Sequence, residues 1–258
     1  MTELPLKNIR KNIIELCGKA KEGHIPSAFS ILDILWVLYD RVMTYDVVNP
    51  RSECRDRFIL SKGHASLGLY AVLNAKGFIS DEDFQSFGQF SSILGGHPDR
   101  NKVPGVEAST GSLGHGMPMA VGMALALKAK KSSSRVFVLI GDGEANEGNI
   151  WESALLAAHH QLGHLTCIFD HNHSTDRALN LGNVGGKFES FGWKVTEIDG
   201  HDHVAIEKSF RSHNGDYPHM VVANTIKGYG CLPMENNPAW HHKSPTEQEC
   251  LELIRELR

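Results

Sequence analysis

The residues best placed for chemistry are a carboxylate between two glycines, Gly141-Asp142-Gly143, and, thirty residues after Asp142, the amide of Asn172 in Asp170-His171-Asn172. Each triplet closes an apolar run, VFVLI before the first and LTCIF before the second. A carboxylate and a side-chain amide oxygen at neighbouring strand ends are hard ligands, suited to Mg²⁺ or Ca²⁺ and poor for zinc. Mg²⁺ is commonly completed by phosphate oxygens. Backbone N–H groups around Gly141 and Gly143, beside a helix start, would offer those phosphates donors. The implied ligand is a diphosphate held through a metal. A glycine turn with a helix-capping Asp has the same local sequence, so the triplet alone leaves both readings open.

Such a site needs a parallel sheet to position it. Neither apolar run alternates, as expected of strands covered on both faces, and in open α/β sheets ligands gather at strand carboxyl ends. Residues 135–174 therefore read as strand, polar turn, amphipathic helix and strand. Further strands are expected at 57–60, 194–198 and 219–225. Helices are expected at 6–22, 27–43, 67–76, 117–130, 184–192 and 203–211, with Gly23-His24-Ile25-Pro26 breaking the first from the second. A last helix is expected at about 245–258, with Pro245 in its first turn. Residues 91–116 are rich in Gly, Pro, Ser and His without a period, and so long an irregular stretch points to function. Strands alternating with helices argue an α/β fold: a doubly wound parallel sheet with helices on both faces, in a single domain over 1–258.

Composition narrows the partners. A formal net charge of -4 over 258 residues gives no electrostatic case for nucleic acid or a membrane surface. Five cysteines without a C-x-x-C spacing suggest reduced thiols in a cytoplasm. No signal-peptide core and no bilayer-length apolar run is present.

The interval GDGEANEGNIWESALLAAHHQLGHLTCIFDHN resembles the transketolase form of the thiamine diphosphate fingerprint. Ordered matches extend over almost the full chain: Gly23-His24-Ile25-Pro26, Asp56 to Ala65, Gly96-His97-Pro98, Pro104 to Gly116, Phe191-Gly192-Trp193, Asp199-Gly200-His201-Asp202, and Thr225 to Gly230. The resemblance implies a thiamine diphosphate-binding fold and the residue roles that go with it. Asp142 and Asn172 would hold the metal together with the main-chain oxygen of Ser174, and Gly143 would donate its N–H to the diphosphate. Gly111 and Leu113 would lie along the cofactor, and Glu147 would belong to the subunit contact behind the aminopyrimidine. His64 and His241 would face diphosphate and substrate, while His24 and His97 would bind the donor's hydroxyl and carbonyl oxygens. Histidines 115, 159, 160, 171, 173, 201, 203 and 242 are read as ordinary surface or structural residues, and Trp36, Trp151 and Trp193 as core or interface residues.

Two departures from the family matter. Asp176 and residues 177–186 stand where an apolar residue commonly follows the metal loop and packs on the cofactor. A complete transketolase also continues into a second α/β domain, which carries the glutamate that activates the cofactor, and then a third. The resemblance thus implies the amino-terminal subunit of a split transketolase, inactive alone and completed by a carboxy-terminal subunit, as a heterotetramer. The implied reaction moves a two-carbon ketol unit from a ketose or ketose phosphate to an aldehyde, with histidines handling protons near neutrality. The alternatives are a subunit of a specialised acyloin or ketol synthase in a dedicated pathway, and a non-catalytic scaffold. The intact Asp142, Asn172, Glu147 and four histidines argue against the scaffold.

Overall fold

In the computed structural model, which describes residues 3–176, 178–212 and 215–258, five parallel strands form one sheet. They are β1 (Arg57–Leu60), β2 (Val136–Gly141), β3 (Leu165–His171), β4 (Lys194–Asp199) and β5 (His219–Asn224), in spatial order β1-β2-β3-β5-β4. Every pairing is parallel. Gly141 of β2 lies opposite Asp170 of β3. Asp142 and Asn172 therefore leave the sheet side by side at its carboxyl edge.

The apolar runs lack alternation because both faces of the sheet are covered. All six residues of β2 are buried, and its five apolar side chains divide between two cores. Phe137 and Leu139 join one core with α1 (Glu3–Ala20), α2 (Ile25–Val37), α3 (Ser66–Ala75) and α8 (His203–Arg211). Val136, Val138 and Ile140 join the other with α5 (Gly116–Ala129), α6 (Gly148–His159) and α7 (Val184–Ser190). This is the doubly wound arrangement expected from the sequence.

Every residue of α2 is buried, because the helix is packed among α1, α3 and α8. It starts two residues earlier than expected. His24 takes the left-handed conformation, φ 65°, and so ends the preceding segment, while Pro26 sits in the first turn, where its missing N–H costs nothing. α2 also ends early as an α-helix, running on as a wider turn over Leu38–Val42 that closes with the Met43 N–H on the Leu38 carbonyl at 2.9 Å. Asp33 of α2 is buried and holds Arg10 at 2.9 Å, His201 at 3.1 Å and His203 at 2.9 Å, so Arg10 ties α1, and the two histidines the start of α8, to α2. Burial works against the Asp33 charge, but the two histidines and Arg10 outweigh it and hold its pKa at about 2.

Two smaller differences are local. A short helix, α4 (Asp81–Gln85), is capped by Ser80. The last helix, α9 (Glu247–Arg255), starts from Thr246, which forms a reciprocal capping box with Glu249. Pro245 therefore lies outside the helix, not in its first turn. No helix among the described residues is long and apolar enough to cross a membrane.

Candidate active site

Asp142 and Asn172 converge. The Asp142 carboxylate accepts the Gly143 N–H at 2.7 Å and the Ser174 N–H at 2.6 Å, and Asn172 Oδ1 accepts that same Ser174 N–H at 3.2 Å. Two oxygens that reach one N–H can also reach one cation. The amide orientation of Asn172 is set from behind, since its Nδ2 donates to Asp170 at 2.9 Å, which turns Oδ1 toward Asp142. Ser174 meets Asp142 through its N–H and its hydroxyl, at 3.1 Å from Oγ. An all-oxygen pair of this kind fits Mg²⁺ or Ca²⁺. Beside it opens a cleft of about 510 Å³, lined by Asn172, Ser174, Lys227, Asn237 and His241 among others.

Gly141 corrects one expectation. Its N–H is not offered to a ligand but donates to Glu144 at 3.1 Å. Glu144 is buried and needs donors, which it finds in Gly141, the Gly114 N–H at 2.9 Å and the Ser61 hydroxyl. Burial raises its pKa, and those donors partly offset the rise. Of the two glycines around Asp142, Gly143 remains beside the site. A side chain there would meet Thr175 at 2.8 Å, so only glycine lets the metal loop close over the turn.

Beneath the ligand pair lies a charge pair that motif reading did not single out. Asp170 is fully buried and its carboxylate binds Lys62 Nζ at 2.6 Å, Ser30 Oγ at 2.9 Å, Asn172 Nδ2 and the Thr225 hydroxyl. Burial opposes the charge, but the Lys62 ammonium and these hydroxyls outweigh it and hold the Asp170 pKa below the ordinary carboxylate value. The sequence carried one signal for this: an Asp inside an apolar strand must be paired.

The histidines gather from four separate segments. The His24 ring lies 5.0 Å from His64 and 5.9 Å from His241. His97 faces Gly111, where a side chain would meet its ring at 2.9 Å, and its segment is pinned by α3, with Tyr70 Oη donating to the His97 carbonyl at 2.9 Å and Ser66 Oγ to that of Gly96 at 2.9 Å. Burial, reinforced by His242, His241, Lys227 and His97, lowers the His24 pKa to about 4. Burial and Lys62 push His64 lower still, and burial with Lys227 also lowers His241. All three are neutral near pH 7, able to accept or donate a hydrogen bond. Lys227, whose Nζ is 3.2 Å from His241 Nδ1, is itself lowered to about 8 by burial and Lys62.

Backbone segments pack closely beside these histidines. A Cβ on Gly23 would stand 2.4 Å from the His242 carbonyl oxygen, and one on Gly63 would stand 2.8 Å from the Gly111 nitrogen. Leu113 is half-buried next to Gly114, where a Cβ would meet that of Glu147 at 2.7 Å. Glu147 itself is exposed at the start of α6. Residues 178–183 of the departing segment are exposed or half-buried loop, and Arg177 lies outside the described residues.

Fold and site together define a doubly wound α/β protein with a convergent all-oxygen pair, beside a cleft, at the carboxyl edge of its sheet. Comparison with known proteins narrows that class: the profile of the family "Transketolase, thiamine diphosphate binding domain" matches residues 2–257. The chain belongs to this family. It is 40% identical over 262 residues to an apulose-4-phosphate transketolase subunit of Phocaeicola vulgatus, covering 99% of this chain and 93% of that one. It is 38% identical to the 6-deoxy-6-sulfo-D-fructose transketolase subunit SqwG of a Clostridium species, covering 96% and 93%. Among solved structures, transketolase from Leishmania mexicana superimposes with a TM-score of 0.91 at 29% identity, covering 98% of this chain and 40% of its own. The chain thus spans about two-fifths of that solved transketolase.

Proposed function

We propose that this chain is a single-domain, amino-terminal, diphosphate-binding subunit of a two-subunit transketolase, which transfers a two-carbon ketol unit from a ketose to an aldehyde. The observation that carries the reading is the convergence of Asp142 and Asn172 Oδ1 on the Ser174 N–H, beside a cleft that holds Lys227 and His241. Thiamine diphosphate, when bound, supplies the carbanion chemistry. Asp142, Asn172 and the main-chain oxygen of Ser174 would hold Mg²⁺; the Gly143 N–H, held by the Asp142 carboxylate at 2.7 Å, would pass to the diphosphate once that carboxylate turns to the cation, with Lys227 and His241 flanking it. Gly111 and Leu113 would lie along the cofactor. His24 and His97 would bind the donor's hydroxyl and carbonyl oxygens and His64 would face both diphosphate and substrate, the neutral rings of His24 and His64 being able to exchange protons with them.

The second subunit completes the site. Glu147 stands exposed at the head of α6, and Leu155 and Leu156 on the same helix are 52% and 45% exposed, a face suited to a subunit contact. Two relatives of similar length are named as separate subunits, which supports the same division; a heterotetramer of two such pairs is the assembly we propose. Their names specify ketoses with an anionic group, a phosphate in one and a sulfonate in the other. We assign recognition of that end to the partner and place the reaction in carbohydrate metabolism. Five free cysteines, four of them buried, support a reducing cytoplasm.

Calorimetric titration of thiamine diphosphate into the chain plus its partner should give saturable, Mg²⁺-dependent binding, abolished by Asp142→Ala. Absence of saturable binding, or an unchanged Asp142→Ala variant, would return the chain to a scaffold role. The purified chain alone should transfer no ketol units.

A further inference from the structure

Three histidines from two segments converge beside the cleft that His241 lines. His24, His241 and His242 each offer one ring nitrogen, and the three atoms lie within 4.8 Å of one another. Their ring centroids are 4.3 Å apart for His24–His242, 4.7 Å for His241–His242 and 5.9 Å for His24–His241. A tetrahedral ion with metal–nitrogen bonds of about 2.0–2.1 Å sets its ligand nitrogens roughly 3.3 Å apart, and His241 and His242 are both exposed and can rotate to close that gap. His24 is the fixed member. Its backbone is held at φ 65°, the adjoining Gly23 is pressed against the His242 carbonyl, and its Nδ1 is buried with no hydrogen-bond partner. The contact at Gly23 also fixes the spacing of the two segments that carry the ligands.

We propose that His24, His241 and His242 form a second metal site, for a transition-metal ion of the Zn²⁺ or Cu²⁺ class, separate from the oxygen site at Asp142 and Asn172. Ligand chemistry separates the two sites: imidazole suits Zn²⁺ and Cu²⁺, while Mg²⁺ prefers carboxylate, carbonyl and water. The Lys227 ammonium, 3.2 Å from His241 Nδ1, opposes any cation there, so only an ion that bonds imidazole strongly can enter. An ion at this site takes His24 away from the donor sugar and His241 away from the diphosphate, while Asp142 and Asn172 keep their own ligand oxygens. This inhibitory consequence rests on the proposed ketol transfer; the binding itself does not.

Calorimetry with Zn²⁺ in excess Mg²⁺ tests the site on the full chain, without cofactor. Cys54→Ser serves as background, because Cys54 is the exposed thiol. One equivalent of Zn²⁺ should bind, and His242→Gln, a change at an exposed side chain, should weaken that binding at least tenfold. His159→Gln, on an exposed histidine elsewhere, should leave it intact. Unaltered Zn²⁺ stoichiometry and affinity in His242→Gln, or no saturable binding in the background chain, overturns the site. With the partner present, Zn²⁺ should inhibit transfer by the background protein at concentrations tenfold below those needed for His242→Gln. Equal inhibition of both overturns the regulatory consequence while leaving the binding result intact.

Discussion

Replacing Lys62 by Met would strand Asp170. The pair lies at 2.6 Å with side chains 3% and 0% exposed, and the carboxylate's other donors, Ser30, Asn172 and Thr225, are all neutral. Breaking a buried pair from one side costs about 3–5 kcal/mol, because a charge remains without its counter-charge. Asp170→Asn should cost a similar amount by leaving the ammonium buried. The double variant should recover much of the loss, with a coupling of at least about 2 kcal/mol. Urea unfolding at pH 7.5 measures all four proteins, provided the slopes agree. Asp170→Asn has a second effect that Lys62→Met need not share. It removes the anionic acceptor that fixes the Asn172 amide, so Nδ2 can turn toward Asp142 in place of Oδ1. Loss of such a supporting contact weakens metal-dependent binding about 10–100-fold. The reasoning fails if Lys62→Met costs under about 1 kcal/mol with additive singles. It also fails if Asp170→Asn binds thiamine diphosphate and Mg²⁺ within about threefold of the parent.

Gly63→Ala places a methyl 2.8 Å from the Gly111 nitrogen and 2.9 Å from the Thr110 carbonyl carbon, both backbone. A loss of about 1–3 kcal/mol is expected, together with weaker cofactor binding; a melting temperature equal to the parent's would contradict it. Acid should destabilise the chain early. His24, lowered to about 4, and His64, lower still, are neutral when folded and take up protons on unfolding near their ordinary pKa of about 6.5. Their contribution is complete above that value and is lost as pH falls from about 6.5 toward 4. Between pH 7 and 5 the two should remove roughly 1–2 kcal/mol, after allowance for screening at partly exposed rings. Urea midpoints across that range check the sign, and a midpoint that rises toward pH 5 refutes it.

Much of the architecture was legible because burial on both faces writes itself into the strands as unbroken apolar runs, and because Asp142 and Asn172 are placed by strand ends that those runs define. What was not legible depended on distant partners. Lys62 lies 108 residues from Asp170, and neither residue type announces the other. Glu144 and Glu147 look alike in the sequence, yet one is buried beneath Gly141 and the other exposed, a difference fixed only when the loop around Gly114 closes over the turn. The start of α2 was misplaced because histidine gives no local sign that it will adopt a left-handed backbone. Pro245 suggested a first helical turn, but the capping box between Thr246 and Glu249 set the boundary beyond it.

The contacts of Gly23 with the His242 carbonyl and of Gly63 with Gly111 have a bearing on how this half of the enzyme can change. Pockets are commonly widened in evolution and in the laboratory by trimming a side chain that lines them. Here two peptide segments beside the histidines rest on glycines, and a peptide group cannot be trimmed. Enlargement at those places would require the chain itself to be re-routed, at risk to the metal loop and the histidines it carries. On the proposed division of the site between two subunits, new sugar preferences should therefore arise mainly through substitutions in the partner. A library directed there, with this chain held constant, is the economical route to an altered donor range.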